Sequence, residues 1–201
     1  MASSSQTSRK DGSEARKATL SREDWINAAT AALERKGIAN VKIDHLARQL
    51  KVTRGSFYFH FKDLKDLLNS LLEEWRQRNC EPYRALKTGA VTDGQAHFDA
   101  VTGVWIREDP FSPRLEMAIR DWARSSKALA NAVREQDDFR MALLVEAFVA
   151  MGYDADESLI RARITYFQQI GYYATYFKEP PAERKRFRPL YTKILVGAAG
   201  R

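Results

Sequence analysis

The sequence has a single cysteine, three histidines and no long apolar run. A lone Cys80 can form neither an internal disulfide nor a multi-cysteine metal site, and it fits a reducing, cytoplasmic setting. His45, His60 and His97 lie on separate segments, without a metal-ligand spacing such as H-E-x-x-H. Neither a G-x-S-x-G elbow nor a phosphate-cradling glycine loop occurs. No stretch approaches the roughly 18 apolar residues of a membrane span. The opening MASSSQTSRKDGSEARKATL lacks the apolar centre of a secretory signal. Sustained period-two alternation is missing, so no sheet is expected, and no internal repeat of roughly 20–50 residues is found. These absences argue against an enzyme, a metal or other cofactor, and a membrane protein.

What is present points to a globular helical protein with a basic head. The 201 residues are 44% hydrophobic and 29% charged, enough to bury a core. The net charge is +7 and the sequence pI about 9.5. Residues 1–80 hold 15 Lys/Arg against 10 Asp/Glu, and residues 81–201 hold 18 against 16, so the excess sits in the first two-fifths. Such a distribution suits a polyanion such as DNA. Residues 1–20, rich in Ser, Lys and Arg without large apolar side chains, are expected to be a disordered tail.

From Ser21 onward nearly every segment has helical periodicity. Ser21 with Asp24 forms a capping-box pattern, Ile26, Ala29 and Leu33 follow at helical spacing, and Gly37 is a natural stop. A second helix is expected over 43–50, with Ile43, Leu46, Ala47 and Leu50 on one face. Thr53 is placed to cap a third helix over 53–60 by accepting from the Ser56 amide. Asp63 with Asp66 opens a fourth helix, running to about Asn79 before a break at Pro82 and 86–94. Later helices are expected near 93–108, 113–125, 127–151, 156–178 and 182–197, bounded by Asp109-Pro110, Ser112-Pro113, Gly152 and Pro180-Pro181. The fold class is therefore all-α with about nine helices.

The chemistry concentrates in residues 53–62, TRGSFYFHFK. Helices 43–50 and 53–60, joined by a tight turn, match helix-turn-helix spacing. At roughly 100° per residue, Phe57 and Phe61 share a core-directed side, whereas Arg54, Gly55, Tyr58 and Phe59 project elsewhere. One short helix cannot bury opposite faces in so small a domain. The outward set suits a major groove: Arg54 for guanine O6 and N7, Gly55 for close approach, Phe59 for a thymine methyl. Thr53, Ser56, Tyr58, His60 and Lys62 are suited to phosphates.

The stretch VKIDHLARQLKVTRGSFYFHFKDLKDLL (41–68) resembles the DNA-binding region of the tetracycline-repressor (TetR) family. Leu46-Ala47, Val52-Thr53, Gly55, Phe57-Tyr58, His60-Phe61 and Leu67 supply the pattern without a break in spacing. The resemblance covers residues 21–75, and 115–125 (LEMAIRDWARS) also looks like effector domains in part of the family. Three positions depart from it. Lys51 replaces the usual turn glycine, at a cost of ~1 kcal/mol if its φ is positive. Lys42 replaces the hydroxyl opening the second helix, and Leu64 stands where the family has a lysine, leaving that contact to Lys62 or Lys65. Lys42 and Lys51 can both meet phosphates instead.

The resemblance implies a disordered tail (1–20), a helix-turn-helix DNA-binding domain (21–66) and a ligand-binding and dimerisation domain (67–201). It implies a homodimer on a palindromic double-stranded operator and a small-molecule ligand that releases it. Helices near 156–178 and 182–197 would pair with their copies, using Leu159, Ile160, Ile164 and Phe167, with Ile170, Gly171 and Ala174. Phe98, Trp105, Phe111 and Trp122, with Phe139, Phe148, Tyr166 and Tyr173, are candidate linings for a small apolar or aromatic ligand. The alternative is a constitutive nucleoid-type DNA-binding protein without a ligand, and a remoter one is an all-helical enzyme. The basic run 184–188 (RKRFR) is expected to be a solvated face.

Overall fold

The computed structural model describes residues 20–86, 90–175, 177 and 179–197. The expected tail falls on residues outside this set, save Leu20. Among the described residues the chain is all helical, without a strand.

The first helix, α1 (Arg22–Lys36), starts as its sequence requires. Ser21 Oγ accepts from the Asp24 amide at 3.2 Å while the Asp24 carboxylate accepts from the Ser21 amide at 2.7 Å. Gly37, at φ 73°, ends it. After a 3₁₀ turn (Ile38–Asn40), α2 (Ile43–Leu50) is opened by Lys42 without a side-chain cap. It is closed by Lys51 in the left-handed conformation, φ 58° and ψ 41°. The turn thus has the conformation that favours glycine but carries a lysine. Lys51→Gly is expected to raise stability by about 0.5–1 kcal/mol. The denaturant midpoint checks this, and an unchanged midpoint would show that the turn is not strained.

The third helix is shorter than its sequence suggests. Helix α3 covers only Arg54–Phe57, and Tyr58–His60 form a tight turn. Phe57 and Phe61 stack at 5.2 Å in one core, as a continued helix would also place them; the chain leaves the helix after Phe57 and turns over Tyr58–His60 to reach the extended Asp63 that caps the next helix. Thr53 occupies the cap position, yet its side chain makes no capping bond; its backbone carbonyl accepts from the Ser56 amide at 3.1 Å. The hydroxyl expected to cap is left free for other partners.

Helix α4 (Leu64–Trp75) begins where Asp63 accepts from the Asp66 amide at 2.9 Å. The helical path does not break at Pro82. A π turn (Arg76–Cys80) leads directly into α5 (Glu81–Arg84), with Pro82 in its first turn. Wider i→i−5 bonding, the Glu81 amide to the Arg76 carbonyl, lets a proline without an N–H enter without ending the helix. The chain continues through α6 (Gly94–Arg107), α7 (Pro113–Ala123), α8 (Lys127–Ala150), α9 (Ala155–Ala174) and α10 (Pro181–Val196).

Two cores result. The first gathers Trp25, Leu46, Phe57, Phe61, Leu67 and Leu71, and it extends into Leu115 and Ile119 of α7 and Leu129 of α8. The second joins Phe98, Trp105, Phe111, Phe148, Tyr166 and Tyr173 with Leu143 and Leu144. Between the cores lies a buried ionic cluster. The Glu116 carboxylate accepts from Arg140 Nη1 (2.8 Å), Arg120 Nη2 (2.9 Å), the Trp75 indole N–H (2.9 Å) and Asn79 Nδ2 (3.0 Å). Burial pushes its carboxyl up, but the guanidiniums of Arg140 and Arg120 outweigh that and hold it well below the usual carboxylate range.

Candidate nucleic-acid interface

Helices α2 and α3 present the basic surface because their apolar sides are fully engaged. Leu46 and Ala47 of α2 and Phe57 of α3 are buried, which turns the remaining side chains outward. Phe57 sits edge-on to Trp25 at 5.3 Å, so α1 holds α3 through an aromatic contact. Arg22 of α1 lies over the Phe61 ring at 4.7 Å and donates to Ser70 Oγ at 2.7 Å, tying α1 to α4 beneath the same turn.

The outward set separates cleanly from the core set. Phe59 is 88% exposed and Tyr58 52%, whereas Phe57 and Phe61 are buried. Lys42, Lys51, Thr53, Arg54, Gly55, Lys62 and Lys65 are exposed, and Ser56 and His60 are partly so. The angular sorting of the rings therefore survives the shortening of α3. A ring left almost wholly in water in the turn after α3 has no role in packing.

Arg54 has two polar neighbours on the exposed surface. Its guanidinium lies 3.7 Å from the Asp44 carboxylate and 3.5 Å from the Tyr58 hydroxyl. Asp44, in the first turn of α2, was not among the sequence candidates. The signal for it is only its position facing the start of α3 across the turn, which a linear sequence does not show. Gly55 is not required by the protein itself: its φ is not positive, and an added Cβ would meet only Thr53 Oγ1 at 3.7 Å, an ordinary contact. At the start of α4, the Asp66 carboxylate accepts from the Lys62 amide at 3.1 Å, which fixes the backbone beside Lys62 and Lys65.

The aromatic residues expected around a ligand divide between the two cores. Phe98, Trp105, Phe111, Phe148, Tyr166 and Tyr173 lie in the second, with Phe139 packed against it. Trp122 packs against the first core instead, because it follows Leu115 and Ile119 on the side of α7 that faces α1. On α9, Ile160, Ile164, Phe167 and Ala174 are exposed, Leu159 and Gly171 are half-buried, and Ile170 packs against the second core. The run 184–188 is not simply solvated: Arg184 is ion-paired with Glu108 of the α6 end and lies over the Tyr172 ring at 5.2 Å. Among the described residues no helix is long and apolar enough to cross a membrane.

Residues 26–71 match the family described as "Bacterial regulatory proteins, tetR family". Over 182 residues the chain is 24% identical to the Transposon Tn10 TetC protein of Escherichia coli, covering 87% of this chain and 90% of that one. Among solved structures, a transcriptional regulator from Rhodococcus sp. Rha1 superposes with a TM-score of 0.53 at 17% identity. That match covers 88% of this chain and 92% of the other, and shows a shared fold.

Proposed function

We propose that the chain is a DNA-binding transcriptional regulator of the tetR family, whose description residues 26–71 match, and that it is a repressor released from a palindromic operator by a small-molecule ligand. The observation that carries the DNA-reading part is the exposed set on α3 and its turn: Arg54 near Asp44 and Tyr58, and Phe59 almost wholly in water in the turn that follows. Gly55, unexplained by any contact inside the protein, is accounted for by close approach of a DNA backbone. In this reading Arg54 pairs with a guanine edge and Phe59 meets a thymine methyl. Lys42, Lys51, Lys62 and Lys65 with Thr53, Ser56, Tyr58 and His60 hold phosphates.

A homodimer follows from the same reading. Ile160, Ile164 and Phe167 recur along α9 at helical spacing and are half or more exposed; Leu190 and Ile194 do the same on α10. Such a stripe on two adjacent helices is suited to pairing with its own copy. Two reading heads held by that pairing match two half-sites, and a ligand that favours a different head spacing shifts the population off DNA. A roughly 100-fold preference, about 2.7 kcal/mol, lies within ordinary coupling strength.

Selection of bound sequences from a random DNA pool tests the reading, and an inverted repeat with fixed half-site spacing is the expected product. Arg54→Ala should relax the preference at one base position in each half-site, costing ~1–3 kcal/mol there. Lys62→Ala should instead weaken all sequences alike and flatten the salt dependence by about one phosphate contact. An unchanged selected sequence for Arg54→Ala would remove Arg54 from the reading role.

A further inference from the structure

We propose that the cleft beneath α10 binds a small aromatic carboxylate. The proposal deepens, and rests on, the reading of the C-terminal helices as the ligand-responsive part of the protein. The cleft has two connected compartments. An inner cavity of about 70 Å³ lies between α6, α9 and α10, lined by Thr102, Trp105, Thr165 and Gln169 among others. An outer basin of about 870 Å³ opens from it, and the two share Ile106, Tyr172, Glu179, Arg184 and Arg188 along their walls.

Three observations define the occupant. The first is charge. The basin is bordered by six basic side chains and only two carboxylates, Glu108 and Glu179. Arg184 is neutralised by Glu108, and Arg78 is engaged with Glu74 and the Pro110 carbonyl. Arg107, Arg114, Lys185 and Arg188 pair with no carboxylate among the described residues, so the basin attracts an anion. The second is an unmet donor. Gln169 is 7% exposed, lines the inner cavity, and its Nε2 has no hydrogen-bond partner among the described residues. A buried amide N–H in that position calls for an acceptor oxygen. The third is shape. The inner cavity is less than half the ~150 Å³ that holds a benzene ring. It therefore admits a carboxyl group but not a ring. The outer basin carries the aromatic wall, Phe111, Tyr172, Tyr173 and Phe177, on which a ring can lie.

The carboxylate thus points inward, accepting from Gln169 Nε2 and from Arg188, which borders both compartments. The ring rests in the basin. Arg184, tied to Glu108 and to the Trp105 carbonyl (3.3 Å), anchors α10 over the cleft. Because α10 also carries Leu190 and Ile194, an occupant beneath it bears directly on the surface read above as the dimer face.

Calorimetric titration of the full chain with three matched probes tests the assignment: 2-naphthoate, 2-naphthalenemethanol and 2-naphthylmethylamine. Naphthoate is expected to bind at least tenfold tighter than the alcohol, with the amine weakest. Arg188→Ala and Gln169→Leu should each weaken naphthoate tenfold or more and leave the alcohol within about twofold, in proteins whose unliganded melting temperatures show them folded. Equal affinity for naphthoate and the alcohol, or unchanged naphthoate binding by both variants, overturns the site. Operator affinity is measured in parallel on the DNA recovered by selection. Naphthoate binding with undiminished operator affinity sustains the site and overturns ligand release. Release by another compound, with no naphthoate binding, does the reverse.

Discussion

Arg140→Ala is expected to destabilise the protein by about 3–5 kcal/mol, because it leaves a buried carboxylate without its main counter-charge. Arg140 and Glu116 are 2% and 1% exposed, so neither can turn to water. Arg140 bonds Glu116 Oε1 through Nη1 and the Asn79 carbonyl through Nη2, both at 2.8 Å, and its guanidinium lies over the Tyr83 ring at 4.9 Å. Those contacts join α8 to α7 and to the π turn after α4. Arg140→Lys should recover little, since a single ammonium cannot span both acceptors as the planar fork does. Replacing both partners, Glu116→Leu with Arg140→Met, should cost markedly less than Arg140→Ala, because no unpaired charge remains. Urea unfolding at neutral pH checks all three. A midpoint for Arg140→Ala close to that of the unaltered protein would show that the cluster contributes nothing to holding these helices together.

The cluster also sets an acid dependence. The folded-state pKa of Glu116 lies below its unfolded value. Its ionised form therefore contributes fully above the unfolded value, roughly 4.3, and that contribution falls away as the pH drops below it. Glu116→Gln should lower stability at neutral pH and flatten the decline in acid. The arginines do not alter the sign: burial pulls both down, but Glu116 and Asp137 hold Arg120 up, and Glu116 holds Arg140 up, so both stay charged.

Phe57→Ala and Phe59→Ala are expected to part company by several kcal/mol although they stand two residues apart. Phe57 is wholly buried, edge-on to Trp25 and stacked on Phe61. Truncating it empties the centre of the first core, at about 3–5 kcal/mol. It also loosens α3 from α1, so DNA binding should disappear with the fold. Phe59 touches water on nearly every side, and Phe59→Ala should leave stability within about 0.5 kcal/mol. Its loss should show only in DNA affinity and in the preference for thymine at one position. Denaturant midpoints and fluorescence anisotropy on the same two proteins separate these outcomes. Equal destabilisation by both would mean that the exposed ring has a packing role that its surroundings do not show.

Much of the reading head was legible in the sequence because its determinants are local. Ser21 with Asp24 and Asp63 with Asp66 form caps within one turn, and the split of Phe57 and Phe61 from Tyr58 and Phe59 needs only helical geometry. Lys51 at a left-handed turn could be anticipated from the position glycine usually takes. Where a local expectation failed, neighbouring backbone geometry accounts for it. Thr53 makes no side-chain capping bond, and α3 ends at Phe57 because the chain turns toward the Asp63 cap of α4. Pro82 did not stop the helix, because a π turn preceded it.

Partners distant in sequence carry no such local mark. Glu116 and Arg120 are visible as an i,i+4 pair beside Leu115 and Ile119, charges on an otherwise apolar face. Nothing in that spacing names Trp75, Asn79 or Arg140 as their neighbours. Likewise the basic run at 184–188 shows its charge in sequence but not that Arg184 closes on Glu108 to roof a cleft. By itself the sequence determined the helices, their caps and the outward face of the reading head, since each follows from backbone hydrogen bonding and apolar period within a few residues. Only the tertiary structure decided which charges are buried together and where open space remains, since burial and cavities arise when segments far apart in the chain are packed against one another.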